Sequence, residues 1–472
     1  MRQTKIVATI SDQKCDVDFL QSLHEAGMNV ARLNTAHITL ETAKMMVNNI
    51  RKVSEKIAIL VDTKGPEIRT CQTLSDTEVT EGELVTLSYT TGVLDNVKNI
   101  CVNYKGFVND LRVGNKILVD DGDIGFEVKE KHFQYLLCKV ENSGVVKKRK
   151  SINIPGVEIK LPSLSEKDVE FIKFAIENDL DFIAHSFVRN RFDIQEVQRI
   201  LDEHNSKIKI IAKIENMEGV KNIEEILDYA HGIMVARGDL GIELPEESIP
   251  PVQRNLVRKA MVRQKPVIIA TQMLHSMIEH PRPTRAEVSD VASAIYMGTD
   301  AIMLSGETAY GKYPIEAVKT MHNIAEKVEP DRDRRELMIP LKTDIPAYLA
   351  HSAIRAAREL KPDAIVTSST TGKTGRYLAA HRSFYPVFVM CHSRRVVREM
   401  ALSFGIHPYY LEVKKNKMKI QKAAIQELVE AGVIQLKDLV IYIGGRFGED
   451  AGASFIEISS AERLCAKPVI SK

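Results

Sequence analysis

Residues 208–237, IKIIAKIENMEGVKNIEEILDYAHGIMVAR, hold two short apolar runs, IKIIAKIE and GIMVAR, separated by a longer, more polar stretch. Short apolar runs alternating with amphipathic stretches of helical period are the mark of parallel βαβ units. The rhythm continues on both sides. Downstream lie 266–271 (PVIIAT) and 301–305 (AIMLS), and upstream 182–188 (FIAHSFV). Near the N-terminus come 5–10 (KIVATI), 30–34 (VARLN) and 57–62 (IAILVD), with a one-faced apolar pattern over 41–54 between them. Eight such runs suit an α/β fold of the closed (β/α)8 TIM barrel type.

The rhythm breaks between 66 and 161. There the pattern predicts short alternating strands over 85–89, 116–119, 124–129 and 135–140, with Gly, Asn and Asp turns, so an all-β lid domain, a small β-barrel, is expected as an insertion. The charged, Pro-punctuated stretch PDRDRRELMIPLKTDIP (330–346) reads as a linker. Apolar runs at 363–368, 386–391 and 439–443, with helical patterns over 349–360 and 393–404, then predict an open α/β sheet. The expected domains are therefore barrel (1–65 and 162–331), lid (66–161) and a C-terminal α/β effector domain (332–472).

The 472-residue chain is 44% hydrophobic, and 65 Lys+Arg against 63 Asp+Glu leave a formal net charge of +2. That balance argues against nucleic acid or a membrane surface as the main partner. No apolar stretch approaches the roughly 20 residues of a membrane span. The opening MRQTKIVATISDQKC turns polar too soon for a signal-peptide core, so a cytoplasmic location is expected. The six cysteines show no metal-ligand spacing and read as reduced, mostly buried thiols.

In such a barrel, chemistry gathers at the carboxyl ends of the strands. Arg32 and Asn34 end one run, Asp62 another, and Ser186, Lys213, Glu215, Arg237, Asp239, Thr271, Ser305 and Glu307 end or follow the rest. Residues two apart share one face of a strand, so these groups converge on one mouth. Taken singly, Asp62, Ser186 or Ser305 reads equally well as a helix cap or turn former. Lys213 and Glu215 are different, because they interrupt an Ile-rich strand that a barrel buries, and such charges are rarely buried unpaired. A structural ion pair is the bland alternative. Adding Asp239 gives two hard carboxylates with open coordination, a set that suits Mg²⁺ or Mn²⁺. Gly238 beside it lets a ligand approach the backbone. Arg32, Arg69, Lys213 and Arg237 add a surplus of positive charge, as the meeting of two polyanions requires.

The runs TKIVATI, GMNVARLN, LVDTKGPEIR, AKIEN, IMVARGDLGIELP, VIIATQML, PRPTRAEVSDVA and IMLSGETAYGKYP closely resemble the pyruvate kinase family. The resemblance implies phosphoryl transfer from phosphoenolpyruvate to ADP, giving pyruvate and ATP, the last step of glycolysis, in a homotetramer. By matching positions it implies that Glu215 and Asp239 bind the divalent ion, and that Lys213 stabilises the transferring phosphoryl group and the enolate. Arg32 would clamp the phosphate, and Gly238 and Thr271 would contact substrate. His37, Arg69 and Lys150 would meet the nucleotide phosphates. Asn34, Asp62 and the Thr63 carbonyl would hold K⁺, with Ser186, Arg237, Ser305 and Glu307 in support. One departure bears on the K⁺ site: Ala36 stands where the family carries a serine ligand, whereas Glu67 keeps the residue type that accompanies K⁺ dependence.

In the C-terminal part, TSSTTGKTGR places Thr367, Ser368, Ser369, Thr370, Thr371, Gly372, Lys373 and Thr374 on a loop entering a helix. Backbone N–H groups in such a loop suit a phosphate, and by resemblance it is where a sugar-phosphate or nucleotide effector binds. An ordinary N-capped turn is the alternative, and GGRFGED (444–450) is a candidate to complete the site. Two other function classes fit part of the pattern: a barrel lyase or mutase acting on metal-bound enolates, and a catalytically silent metabolite sensor.

Overall fold

The computed structural model describes residues 1–465 except 91–93, 95, 334–338, 341–343, 413–416 and 446–451. Eight parallel strands close into a barrel. Around the ring they run Lys5–Ile10, Val30–Asn34, Ala58–Asp62, Phe182–His185, Lys209–Ile214, Gly232–Ala236, Val267–Ala270 and Ala301–Leu304. Helices between them start where the sequence supplies caps: Thr39, Ser165 and Thr284 each form a capping box, which satisfies otherwise orphaned N–H groups.

Alternate residues of the strands fill the barrel bore. Val7, Val30, Leu60, Phe182, Ile211, Met234, Ile268 and Met303 form one buried cluster there, each contributing roughly 1.5–3 kcal/mol by leaving water. Ala401 and Leu402 of the C-terminal domain join that cluster. That domain therefore closes the amino-terminal floor of the barrel, where the Gly405 N–H donates to the Gln3 carbonyl (3.0 Å) and the Lys5 ammonium to the Ile406 carbonyl (2.6 Å). The carboxyl end stays open for chemistry.

Between the third and fourth barrel strands the chain forms a six-stranded sheet and a two-stranded ribbon. The sheet runs Ile152–Asn153, Lys116–Val119, Ile124–Lys131, Leu136–Val140, Leu84–Ser88 and Asn99–Cys101. The C-terminal sheet has five strands, in the order Ile406–Tyr410, Val387–Cys391, Ala364–Ser369, Leu439–Gly445, Ala453–Ser460, the last antiparallel to its neighbour. Among the described residues no helix is long and apolar enough to cross a membrane.

One expectation fails in the lid. Cys71 and Cys101 are joined as a disulfide, with Cα atoms 5.3 Å apart, rather than remaining reduced. Thirty residues separate them, and only the pairing of the strand ends brings them together. Cys15, Cys138, Cys391 and Cys465 are free, and burial pushes the Cys138 thiol up to about 12.

Candidate active site

The Lys213 ammonium lies at the barrel mouth among groups from three neighbouring strands. It donates to Ser186 Oγ at 2.7 Å and pairs with Glu215 Oε1 at 2.9 Å and Asp62 Oδ1 at 3.1 Å. The other oxygen of Asp62 accepts from Arg32 Nε at 2.6 Å, so the two cations share one carboxylate. Arg32 is fixed from a further side by Thr9 Oγ1 at 2.9 Å. Burial raises the Asp62 carboxyl, but Arg32 and Lys213 more than offset it and hold it below the usual range. For Lys213, burial lowers the ammonium, and Asp62 and Glu215 more than restore it. Lys213 therefore stays charged at neutral pH.

Glu215 directly follows strand Lys209–Ile214, Asp239 lies in the first turn of helix Arg237–Glu243 that follows the neighbouring strand, and both carboxyls sit above the ordinary range. Burial is the largest cause for each, with the Lys213 charge acting against it, and Asp239 raises Glu215 further. Lys213 alone does not offset the burial of this pair, so further positive charge there would stabilise it. Among the described residues no group of three or more His, Cys, Asp or Glu side chains could hold a metal ion. An ion between these two must therefore draw its remaining ligands from water and substrate, the habit of Mg²⁺. The donor set fits.

A pH dependence follows. A raised carboxyl holds its proton to higher pH, and the proton competes with the metal. Mg²⁺ affinity is expected to be full in alkaline solution and to fall before the pH reaches the ordinary glutamate value of 4.5. Mn²⁺ titrations followed by water-proton relaxation from pH 5 to 8.5 test this, and a flat affinity across the range contradicts it.

After strand Val267–Ala270, which neighbours the strand that leads to Asp239, Thr271 and Gln272 both have positive φ, 68° and 54°. For a β-branched residue that conformation costs on the order of 1–3 kcal/mol and must be held by its surroundings. Arg237 holds it, donating to the Thr271 carbonyl at 2.7 Å while pairing with Asp290 at 2.7 Å. Arg237 is thus committed to the turn rather than adding free positive charge to the mouth, which corrects its reading as part of a cationic surplus. The Thr271 hydroxyl accepts the Gly238 N–H at 2.9 Å. A Cβ built on Gly238 would meet nothing closer than Thr271 Oγ1 at 3.7 Å, so packing does not demand glycine there. Glu307 accepts from the Leu274 N–H (3.2 Å) and the Ser305 N–H (2.7 Å), tying two loops of the mouth together.

Asn34 pairs in register with Asp62, and the Thr63 carbonyl accepts from Ser186 Oγ at 2.6 Å, so these three gather at one edge of the mouth. Ala36 offers no hydroxyl. Neighbouring Thr35 does not replace it, since its hydroxyl donates to the Asp62 carbonyl at 2.9 Å. His37 is exposed on the same loop.

The lid cations are tied within the lid: Arg69 to Glu67 at 2.7 Å, and Lys150 to Asp120 at 2.8 Å. The lid still reaches the mouth electrically, because Glu67 and Asp121 both raise Asp239. Thr9, Asp120 and Asp290 escaped the sequence reading. Thr9 lies next to the end of the first strand run, so the strand-end rule could have found it. The other two lie in the lid or on a helix, where no local signal marks them.

In the C-terminal loop, the Ser369 hydroxyl accepts the Gly372 N–H at 2.8 Å, and Thr367 donates to the Ile443 carbonyl at 3.0 Å. Thr374 is buried and Lys373 pairs with Asp344 at 2.8 Å. Helix Lys373–Ala380 starts at Gly372 without a side-chain cap, so its N–H groups stay open beside Ser368, Thr370 and Thr371. Residues 446–450 of the GGRFGED run lie outside the described residues.

Residues 1–318 match the family described as pyruvate kinase, barrel domain, and 348–459 match pyruvate kinase, alpha/beta domain. A pyruvate kinase of Borreliella burgdorferi is 46% identical over 466 residues, covering 97% of each chain. One from Geobacillus stearothermophilus is 43% identical, covering 99% of this chain and 81% of that relative. A crystal structure of a pyruvate kinase from Cryptosporidium parvum superposes with a TM-score of 0.91 at 34% identity, covering 98% and 96% of the two chains.

Proposed function

The chain belongs to the pyruvate kinase family and is a phosphotransferase, and from that premise we propose that it moves the phosphoryl group of phosphoenolpyruvate to ADP at the barrel mouth. The observation that carries this reading is Lys213 held between Asp62, Ser186 and Glu215, with the Glu215 and Asp239 carboxylates beside it.

When bound at Glu215 and Asp239, Mg²⁺ supplies neutralisation of the phosphate oxygens of both substrates. The chain's own groups do the rest. Arg32, braced by Asp62 and Thr9, holds the phosphate of phosphoenolpyruvate. Lys213 presents a fixed positive charge to the phosphoryl group in flight and to the enolate oxygen, the positioned electrostatic stabilisation that dominates such transfers. The Gly238 backbone and the Thr271 hydroxyl orient the carboxylate end of the substrate, on the side where the enolate carbon takes up its proton. His37, Arg69 and Lys150 receive the nucleotide phosphates as the lid approaches. Ser186, Arg237, Ser305 and Glu307 keep these groups in place.

Asn34, Asp62 and the Thr63 carbonyl are the proposed K⁺ ligands, with a water or another carbonyl in the position that a serine at 36 would occupy. The uncapped start of helix Lys373–Ala380, with the loop Thr367 to Thr374, is proposed to take a phosphorylated metabolite. The assembly is proposed to be a cytoplasmic homotetramer.

A lyase or mutase would share the carboxylate pair but leaves the lid without a purpose, and a silent sensor has no need of intact Arg32, Lys213 and Thr271. The test is formation of ATP and pyruvate from phosphoenolpyruvate, ADP and Mg²⁺, with and without K⁺. ATP is expected, and K⁺ is expected to raise the rate. Pyruvate without ATP would remove the reading, and full activity in buffer free of both Na⁺ and K⁺ would remove the monovalent site. Activity unchanged by fructose bisphosphate, ribose phosphate, glucose phosphate and AMP would remove the effector site.

A further inference from the structure

The strip Arg69–Cys71 in the lid is clamped from both sides. On one side the Arg69 N–H donates to Asn103 Oδ1 at 2.8 Å, the Asn103 N–H returns to the Arg69 carbonyl at 2.9 Å, and the Cys71 N–H donates to the Cys101 carbonyl at 2.9 Å. On the other side the Thr70 N–H donates to the Lys150 carbonyl at 2.9 Å, and its hydroxyl accepts the Lys150 N–H at 2.8 Å. The Cys71–Cys101 disulfide is the only covalent tie in this strip. It lies two residues from Arg69 and one from Thr70, the residue that carries Lys150.

We propose that Cys71 and Cys101 form a thiol–disulfide exchange site whose oxidation state sets how firmly Arg69 and Lys150 are held for the nucleotide phosphates. Cys71 is partly exposed and so open to attack, whereas Cys15, Cys138 and Cys391 are buried. In a cytoplasmic protein a disulfide is usually of the transient or sensing kind. The exchange balances with a dithiol reductant. Its thiolate attacks Cys71 Sγ and releases the Cys101 thiolate, which takes up a proton. The reductant's second thiolate then attacks the mixed disulfide and frees Cys71, leaving two protein thiols and one oxidised dithiol. A low-molecular-weight disulfide reverses the sequence. With the bond open, Arg69 keeps its backbone bonds but loses the covalent brace, so ordering its side chain on the nucleotide costs more.

This inference rests on the proposed role of Arg69 and Lys150, and the experiment separates the two. The full chain is equilibrated across a series of reduced and oxidised dithiothreitol. Free thiols are alkylated and counted at Cys71 and Cys101 by mass spectrometry, and KM for ADP and for phosphoenolpyruvate is measured in parallel. The two cysteines are expected to titrate together. Reduction is expected to raise KM for ADP roughly three- to tenfold, the cost of ordering about one long side chain, with KM for phosphoenolpyruvate nearly unchanged. Cys71→Ser and Cys101→Ser are each expected to show the raised value in both redox states, while Cys465→Ser behaves as the parent. Should a serine variant fold poorly, the parent series still decides. Thiols that stay alkylatable under oxidant, a KM for ADP that ignores the titration, or a redox response surviving in Cys71→Ser would each overturn the proposal. Absence of phosphoryl transfer in every state would instead overturn the functional reading, with the thiol count still scoring the disulfide.

Discussion

Lys213→Met is expected to lower kcat by about 10³-fold while phosphoenolpyruvate still binds. Removing one positioned electrostatic donor typically costs 10²–10³ in kcat, and the Lys213 ammonium touches three groups of the mouth at once. A factor of about 10³ corresponds to roughly 4 kcal/mol of lost transition-state stabilisation. Arg32 keeps its own bonds to Asp62 and Thr9, so the phosphate clamp survives the change. The measurement is steady-state kinetics together with ligand binding by calorimetry. Turnover within tenfold of the parent would show that the charge at Lys213 is structural.

The second large effect concerns stability at the opposite end of the barrel. Asp300→Ala is expected to cost about 3–5 kcal/mol, because it strands a buried guanidinium. Asp300 receives two bonds from Arg382, at 2.5 and 3.3 Å, and the N–H groups of Val267 (3.1 Å) and Phe404 (2.9 Å). Arg382 is 9% exposed and cannot turn to water without breaking its bonds to the Gly298 and Ala379 carbonyls. The double variant Asp300→Ala, Arg382→Leu is expected to recover part of the loss, since no unpaired charge remains. Thermal melts decide. A single variant as stable as the parent, or a double variant worse than the sum of the singles, would contradict the account.

The barrel and its mouth were legible because the signals were local. Period and composition identify each strand run, and a charged pair such as Lys213 and Glu215 in an Ile-rich strand stands out against its neighbours. What depended on side-chain direction was not legible. Arg237 follows a strand run just as Lys213 ends one, yet it turns to Asp290, 53 residues later on a helix. The strand Ile406–Tyr410 is absent from the sequence reading, and its Pro408 is a residue that argues against a strand. The structure resolves the conflict by placing it at the sheet edge, where a missing N–H is tolerated. Cys71 and Cys101 were misread for a related reason, since nothing within 30 residues of polar sequence announces that two strand ends will meet.

One divalent ion is expected between Glu215 and Asp239. A crystal grown with Mn²⁺ and phosphoenolpyruvate, read by anomalous scattering, tests it directly. A single strong peak is expected about 2.1 Å from a carboxylate oxygen of each residue, with its remaining ligands drawn from water and substrate. A peak elsewhere in the molecule, or none in the presence of bound phosphoenolpyruvate, would contradict it.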